Sequence, residues 1–193
     1  MTATSPAGRR GRPTEADRAR RRDRLLDAAV TCFAETGFEA TTLDAVAARA
    51  GVTKRTIYVD HGDKAALFAA AVDRLHAGIR GVASAEGSLE SAAIELVHVL
   101  HSDEAVALHR LVLMEAWRFP ALAAAFYETG PRASVAMLAA LLPSGDRHLA
   151  EPLHALLLGE PHRRRLLRLA PAPDRAEARR HAVSTLRLLA LIP

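Results

Sequence analysis

The sequence predicts an all-α protein: a small N-terminal head of three helices containing a helix-turn-helix, followed by a larger C-terminal helical body. Three observations carry this expectation. Half of the 193 residues are apolar, Ala and Leu dominate, and aromatics make up only 4%, a composition that favours helices over strands. Apolar residues recur at helical spacing along most of the chain, with no repeat and no convincing strand. The stretch from Thr41 to Leu67, TTLDAVAARAGVTKRTIYVDHGDKAAL, reads as two short helices about a tight glycine turn, with another helix starting beyond. In that layout the second helix of the pair enters a DNA major groove.

Taken in order, residues 1–13 (MTATSPAGRRGRP) are small, polar and basic without periodicity, and are expected to form a disordered arm. Thr14 offers an N-cap, with Glu15 and Asp17 in the first turn, where carboxylates oppose the helix dipole. This helix is expected to run to about Thr36, with Leu25, Leu26, Ala29 and Phe33 on one side and Gly37 as its left-handed stop. Thr41 or Thr42 caps a second helix reaching Ala50, with Leu43, Val46, Ala47 and Ala50 facing inward. Gly51 makes the turn, Val52 anchors it in the core, and Thr53 caps a very short third helix. At roughly 10 Å that helix spans one groove and is too short to be stable alone. Gly62 breaks it, and Asp63 caps a fourth helix running to about Arg80. The Gly62–Asp63 step is the expected boundary between a head over residues 14–62 and a body over residues 63–193. In the body, breaks such as Gly87-Ser88, Phe119-Pro120, Gly130-Pro131 and Gly159-Glu160-Pro161 delimit helices over 88–100, 103–118, 120–142, 146–158, 162–169 and 174–191.

The net charge of +4 is unevenly placed: +5 over residues 1–24, −2 over 25–60, −4 over 61–159 and +5 over 160–193. Basic ends suit a polyanion but equally suit a solvated surface. The single cysteine, Cys32, reads as a small buried hydrophobe and allows no disulfide within the chain. With no signal peptide and no bilayer-length apolar run, a cytoplasmic protein without a membrane partner is expected.

A groove-reading helix needs exposed donors near its N-terminus, small residues where the two helices touch, and phosphate contacts on either side. Ala47 and Ala48 allow the close approach, and Thr53, Lys54, Arg55 and Thr56 project from the start of the third helix. Lys54 or Arg55 can donate to guanine O6 and N7. Tyr58, Lys64 and Thr42 can reach phosphates, the last two at helix N-termini, where backbone N–H groups also favour anions. The arm residues Arg9, Arg10 and Arg12 are expected to add phosphate or minor-groove contacts. Deleting residues 1–13 should therefore lower DNA affinity and flatten its salt dependence; no change in either would refute a role for the arm.

Residues 20–68 resemble the DNA-binding domain of the TetR family of transcriptional regulators. The resemblance rests on Ala28-Ala29, Phe33, Gly37-Phe38, Thr41-Thr42, Val46-Ala47, Ala50-Gly51-Val52, Thr56-Ile57-Tyr58, Lys64 and Leu67-Phe68. It implies that Thr42, Thr53, Lys54, Arg55, Tyr58 and Lys64 occupy DNA-contacting positions of double-stranded operator recognition. Two residues depart from the pattern. Members of the family often carry His and Phe where this chain has Asp60 and His61. Asp60 would repel a phosphate unless it caps or pairs, and His61 replaces an aromatic that helps close the small core. The segment Arg110–Pro131, RLVLMEAWRFPALAAAFYETGP, is similar to the C-terminal domain of AcrR/AefR-like members, through an Arg-led apolar run, a Glu, a Phe-Pro and a later Phe-Tyr.

Such a body implies a pocket between helices for a small hydrophobic or amphipathic effector, with Leu100, Leu111, Met114, Trp117, Phe126 and Met137 as the expected lining. Two stripes, Leu149, Leu153, Leu156 and Leu157, and Val183, Leu186, Leu189 and Ala190, would build a four-helix homodimer interface. The leading expectation is a homodimeric repressor that an effector releases from a palindromic operator. The alternative is a ligand-independent architectural or partner-binding protein whose body core is filled. The run Arg163, Arg164, Arg165 and Arg168 is expected to be solvated or paired with acids. Neither a cofactor nor a metal is expected. His98 and His101, at i and i+3 with His109 further on, have no Cys or HExxH pattern beside them. No phosphate-cradling loop or nucleophile elbow points to an enzyme.

Overall fold

A computed structural model describes residues 14–142 and 147–193; the basic arm over residues 1–13 lies outside them. The described chain holds ten α-helices, one π-turn and no strand. Helix α1 (Glu15–Ala40) begins with a capping box: the Thr14 hydroxyl accepts from the Asp17 N–H, and the Asp17 carboxylate accepts from the Thr14 N–H. Gly37 bends α1 with φ +83°, so its last residues form a separate turn, as the expected stop at Gly37 requires. Of the two candidate caps, Thr42 caps α2 (Leu43–Ala50) by accepting from the Ala45 N–H. Thr41 is buried and donates to the carbonyls at the end of α1.

Gly51 sits in the left-handed region at φ +66° and turns the chain into α3 (Lys54–His61), which Thr53 caps. Only Ile57 of α3 is buried. Asp63 accepts from the Ala66 N–H at the start of α4 (Lys64–Glu86). The body continues with α5 (Leu89–Leu100), α6 (Asp103–Glu115) and α7 (Pro120–Tyr127). The helix expected over 120–142 is interrupted: a π-turn at Glu128–Arg132, carrying Pro131, separates α7 from α8 (Ala133–Leu141). Pro131 has no N–H to give to a regular ladder, which explains the wider turn. Helix α9 (Arg147–Leu166) is kinked at Gly159, φ +51°, where a break was expected, and α10 (Arg175–Leu188) starts with a second capping box, Asp174 with Glu177.

Two apolar cores result. The upper one runs from α1 through α2, α3 and the first turns of α4 and continues without interruption into Leu108, Leu111, Val112 and Leu122 of α6 and α7. The lower one joins α5, α8, α9 and α10. Arg175 and Arg179 of α10 pair with Glu95 and Glu90 of α5 on its rim.

This arrangement corrects part of the expected dimer face. Leu153, Leu157 and Leu186 have no exposed surface and fill the lower core of their own chain. Leu149 and Leu189 pack half-buried against that core, Val183 is half-buried, and Ala190 is exposed. Leu156 faces outward, as does Leu188, which is 74% exposed.

Candidate nucleic-acid interface and body cavity

The helix-turn-helix geometry follows from its local sequence. The Gly51 N–H reaches the Ala47 and Ala48 carbonyls, and the Val52 N–H reaches the Ala47 carbonyl at 3.0 Å, which closes α2 and aims α3 away from it. The Thr53 hydroxyl accepts from the Thr56 N–H at 3.2 Å and shares a hydrogen bond with the Thr56 hydroxyl at 2.9 Å. Thr53 is thus a cap first, and it stays exposed at the reading edge. Arg55 is exposed and has no ion pair among the described residues, so its five donors are available to a base edge. Lys54 is held by Asp44 of α2 at 2.8 Å. Asp44, in the first turn of α2, looks from the sequence like a partner for the helix dipole until the fold sets it opposite Lys54.

Thr42, Lys54, Tyr58 and Lys64 surround one open cleft between the starts of α2, α3 and α4. Tyr58 is exposed, with its ring free to turn to a phosphate. Lys64 departs from its expected role. Its ammonium donates to the carbonyls of Phe38 at 2.7 Å, Glu39 at 3.0 Å and Thr41 at 3.1 Å, and it lies 4.7 Å from the centre of the Phe38 ring. All three N–H donors are engaged, so Lys64 ties the end of α1 to α4 instead of clamping a phosphate through its ammonium. Lys64→Gln is expected to cost about 1–2 kcal/mol in urea unfolding; an unchanged midpoint would remove the tie.

Asp60 is exposed and makes no ion pair among the described residues. His61 is half-buried, its Nε2 has no partner among the described residues, and burial, with Arg22 behind it, pulls its pKa down. The ring is therefore neutral near neutral pH, and DNA affinity is expected to be flat between about pH 6 and 8 in a gel-shift titration.

In the body, a small cavity of about 40 Å³ lies among α4, α5, α6, α7, the π-turn and α9. Of the expected lining, Leu100 and Phe126 are there. Leu111 is buried in the upper core, Met137 lines a separate smaller cleft, and Met114 and Trp117 face solvent at 67% and 82% exposure. These last two fall on the outer side of α6 and the turn before Pro120, where no neighbouring helix covers them. Instead, His76, His109, His154 and His162 complete the lining. Spacing along the sequence gives no sign of this set: His76, His109 and the pair His154 and His162 come from α4, α6 and the two sides of the Gly159 kink in α9, and only the fold brings them together. A wider cleft of about 430 Å³ opens to solvent between α9 and α10, with His101 and His181 at its base. Arg165, from the basic run, is buried and donates to the carbonyls of His101 and Ala170 and to Asp103.

The cavity and the head share walls. Val72 and Leu108 line the cavity and also belong to the upper core that seats α1 and α3. Beside them, Phe38 stacks edge-on with Phe119 at 5.2 Å, and Arg118 pairs with Glu39.

Comparison with known proteins gives consistent matches. Residues 25–71 match the profile of the bacterial regulatory proteins of the tetR family, and residues 87–190 match that of the AefR-like transcriptional repressor C-terminal domain. The HTH-type transcriptional activator FasR of Mycolicibacterium smegmatis is 38% identical over 79 residues, 39% of this chain. The match spans about a third of that relative's length, 36%. A structure assigned to the TetR-family transcriptional regulators, from Mesorhizobium loti, superimposes with a TM-score of 0.71 at 28% identity, covering 92% of this chain and 98% of the other. The flavonoid-responsive regulator FrrA gives a TM-score of 0.63 at 29% identity, covering 90% of this chain and 96% of its own.

Proposed function

Because the chain belongs to the TetR family of bacterial transcriptional regulators, we propose that it is a homodimeric, DNA-binding repressor released from its operator when a small apolar or amphipathic molecule enters the body cavity. The observation that carries this reading is the double duty of Val72 and Leu108, which form cavity wall and head core at once. A ligand that widens the cavity must push on side chains that seat the reading head. Release then equals the ligand's differential affinity for the open and DNA-bound states. Among the described residues no helix is long and apolar enough to cross a membrane. The repressor sense follows the body, whose matched profile is that of a repressor domain.

Two copies would pair through α9 and α10, using the outward Leu156 and Leu188, with the half-buried Val183 beside them, in place of the core leucines. Dimers read half-sites about one helical turn apart. The double change Leu156→Arg with Leu188→Arg should give a folded monomer by sedimentation; a dimer that persists would move the interface elsewhere.

The function is tested by genome-wide footprinting of the protein, followed by anisotropy on the operator found. Arg55→Ala should cost about 1–3 kcal/mol of operator affinity and relax preference at one base pair. Unchanged affinity and preference would remove Arg55 from the reading edge. Compounds that raise the melting temperature should weaken operator binding; stabilisation with no loss of DNA affinity would refute release by ligand.

A further inference from the structure

Six of the nine histidines converge inside the body. The rings of His181, His101, His162 and His109 follow one another at centroid distances of 6.1, 5.2 and 5.2 Å, and His109 ends against Phe126 at 5.2 Å. His76 and His154 line one cavity with His109 and His162. No carboxylate, ammonium or guanidinium among the described residues lines it. His154 is 7% exposed with an Nε2 that has no hydrogen-bond partner among the described residues, and His162 is 5% exposed. His76 donates its Nδ1–H to the Val72 carbonyl at 2.9 Å, so its Nε2 carries a lone pair, close to Gly130, where an added Cβ would lie 3.5 Å away.

A cavity walled by carbon and ringed by neutral imidazoles selects its occupant by charge. An ammonium entering it would lose its water and meet no anion. A plain hydrocarbon would leave the Nε2 of His154 still unpartnered. A weak acid does neither. We propose that the cavity, widening from about 40 Å³ as its lining side chains shift, takes an apolar molecule bearing one weakly acidic O–H, a carboxyl or a phenol, which the imidazoles of His154 and His162 receive. The proposal rests on the effector reading of this cavity and adds the chemistry of the effector.

A phenol arrives with its proton and donates it as a hydrogen bond to a ring nitrogen, with no other change. A carboxylate arrives ionised, so one imidazole must take a proton from solvent, giving a buried imidazolium–carboxylate pair of zero net charge. Burial first, and neighbouring rings second, hold His154 and His162 neutral beforehand, at about 4 and about 3. The other charged or titratable groups near these rings are His76 with Asp73 and Arg80 on α4, His101, Asp103 beside Arg165, His109 with Arg110 on α6, and His181 on α10. Arg80 is paired with Asp73 and Arg165 with Asp103, which leaves Arg110, bonded to the Leu166 carbonyl, as the one guanidinium in that set without a carboxylate partner among the described residues.

The test is calorimetry of the full chain near pH 7.5, in two buffers of different ionisation enthalpy, with four probes: 4-ethylbenzoate, 4-ethylphenol, ethylbenzene and 4-ethylbenzylamine. The first two should bind at least about ten-fold more tightly than the last two. The benzoate should take up about one proton per site and the phenol none. The double variant His154→Leu with His162→Leu should bind ethylbenzene still and lose the preference for the acids. Ethylbenzene binding as tightly as the acids in the unaltered protein would overturn the inference and leave the effector cavity standing. Binding of none of the four would overturn both. Acid binding that takes up its proton yet leaves operator affinity unchanged would uphold the inference and count against release alone.

Discussion

Phe68→Ala is expected to destabilise the chain by about 3–5 kcal/mol and to abolish operator binding with it. Phe68 is fully buried and meets Phe33 edge-on at 5.2 Å and Phe38 at 6.0 Å. Phe38 in turn reaches Phe119 of the body at 5.2 Å, so removing one ring loosens a cluster that spans head and body. The reading helix has little else to hold it. Ile57 is its one buried side chain, and eight residues do not stay helical alone. Urea denaturation gives the size of the loss from the shift in midpoint at constant slope. Phe68→Leu should recover most of it, because an apolar side chain of similar volume refills the space. A loss under about 1 kcal/mol for the alanine variant would mean that the ring cluster does not hold the head.

Acid is expected to unfold the body well above the pH at which carboxylates titrate. In the unfolded chain, histidines titrate near 6.5. In the folded chain, burial holds His101 and His154 at about 4 and His162 at about 3. Between those values the unfolded state binds more protons, so stability is fully present above about pH 6.5 and falls as the pH drops through the folded values. One ring held near 4 weakens the fold by roughly 3 kcal/mol once the pH reaches that value, and several together approach the whole stability of a typical domain. Circular dichroism through an acid titration gives the midpoint. His154→Leu and His162→Leu should each move that midpoint to lower pH, since a leucine has no proton to take up. A midpoint that neither change moves would place the acid sensitivity elsewhere.

What could be read from the sequence was local. The capping box at Thr14, the caps at Thr42 and Thr53, the stop at Gly37 and the turn at Gly51 each depend on a few neighbouring residues, and each stands where its residues place it. Their sum fixes the helix-turn-helix, and with it the exposure of Arg55 and Tyr58. What was not legible depends on which element lies opposite. Helical spacing marks Leu153 and Leu157 on one apolar stripe and Leu186 on another, but each pattern is the same whether the neighbour belongs to the same chain or to a second copy. Trp117 and Met114 carry the bulk expected of a pocket wall, yet nothing in their spacing records that α6 turns them to solvent. Lys64 looks like a phosphate ligand because it is a cation at a helix N-terminus; the carbonyls that engage it come from a turn 23 to 26 residues earlier.

That last contact bears on how the protein can change over generations. The three acceptors of Lys64 are main-chain oxygens, and every residue type supplies a main-chain oxygen. Glu39 can therefore drift without costing Lys64 an acceptor, provided the backbone keeps its course, though a change there gives up the pair with Arg118. Lys64 itself has no such latitude: a planar guanidinium does not present three donors to three converging carbonyls. A head from a distant relative, grafted upstream of Lys64, keeps this contact if it keeps the same bend at the end of its first helix. The joint thus lets new reading helices be tried on an unchanged sensor, and a set of such chimaeras, each compared with its Lys64→Gln counterpart, should lose stability by the same amount whatever the grafted sequence.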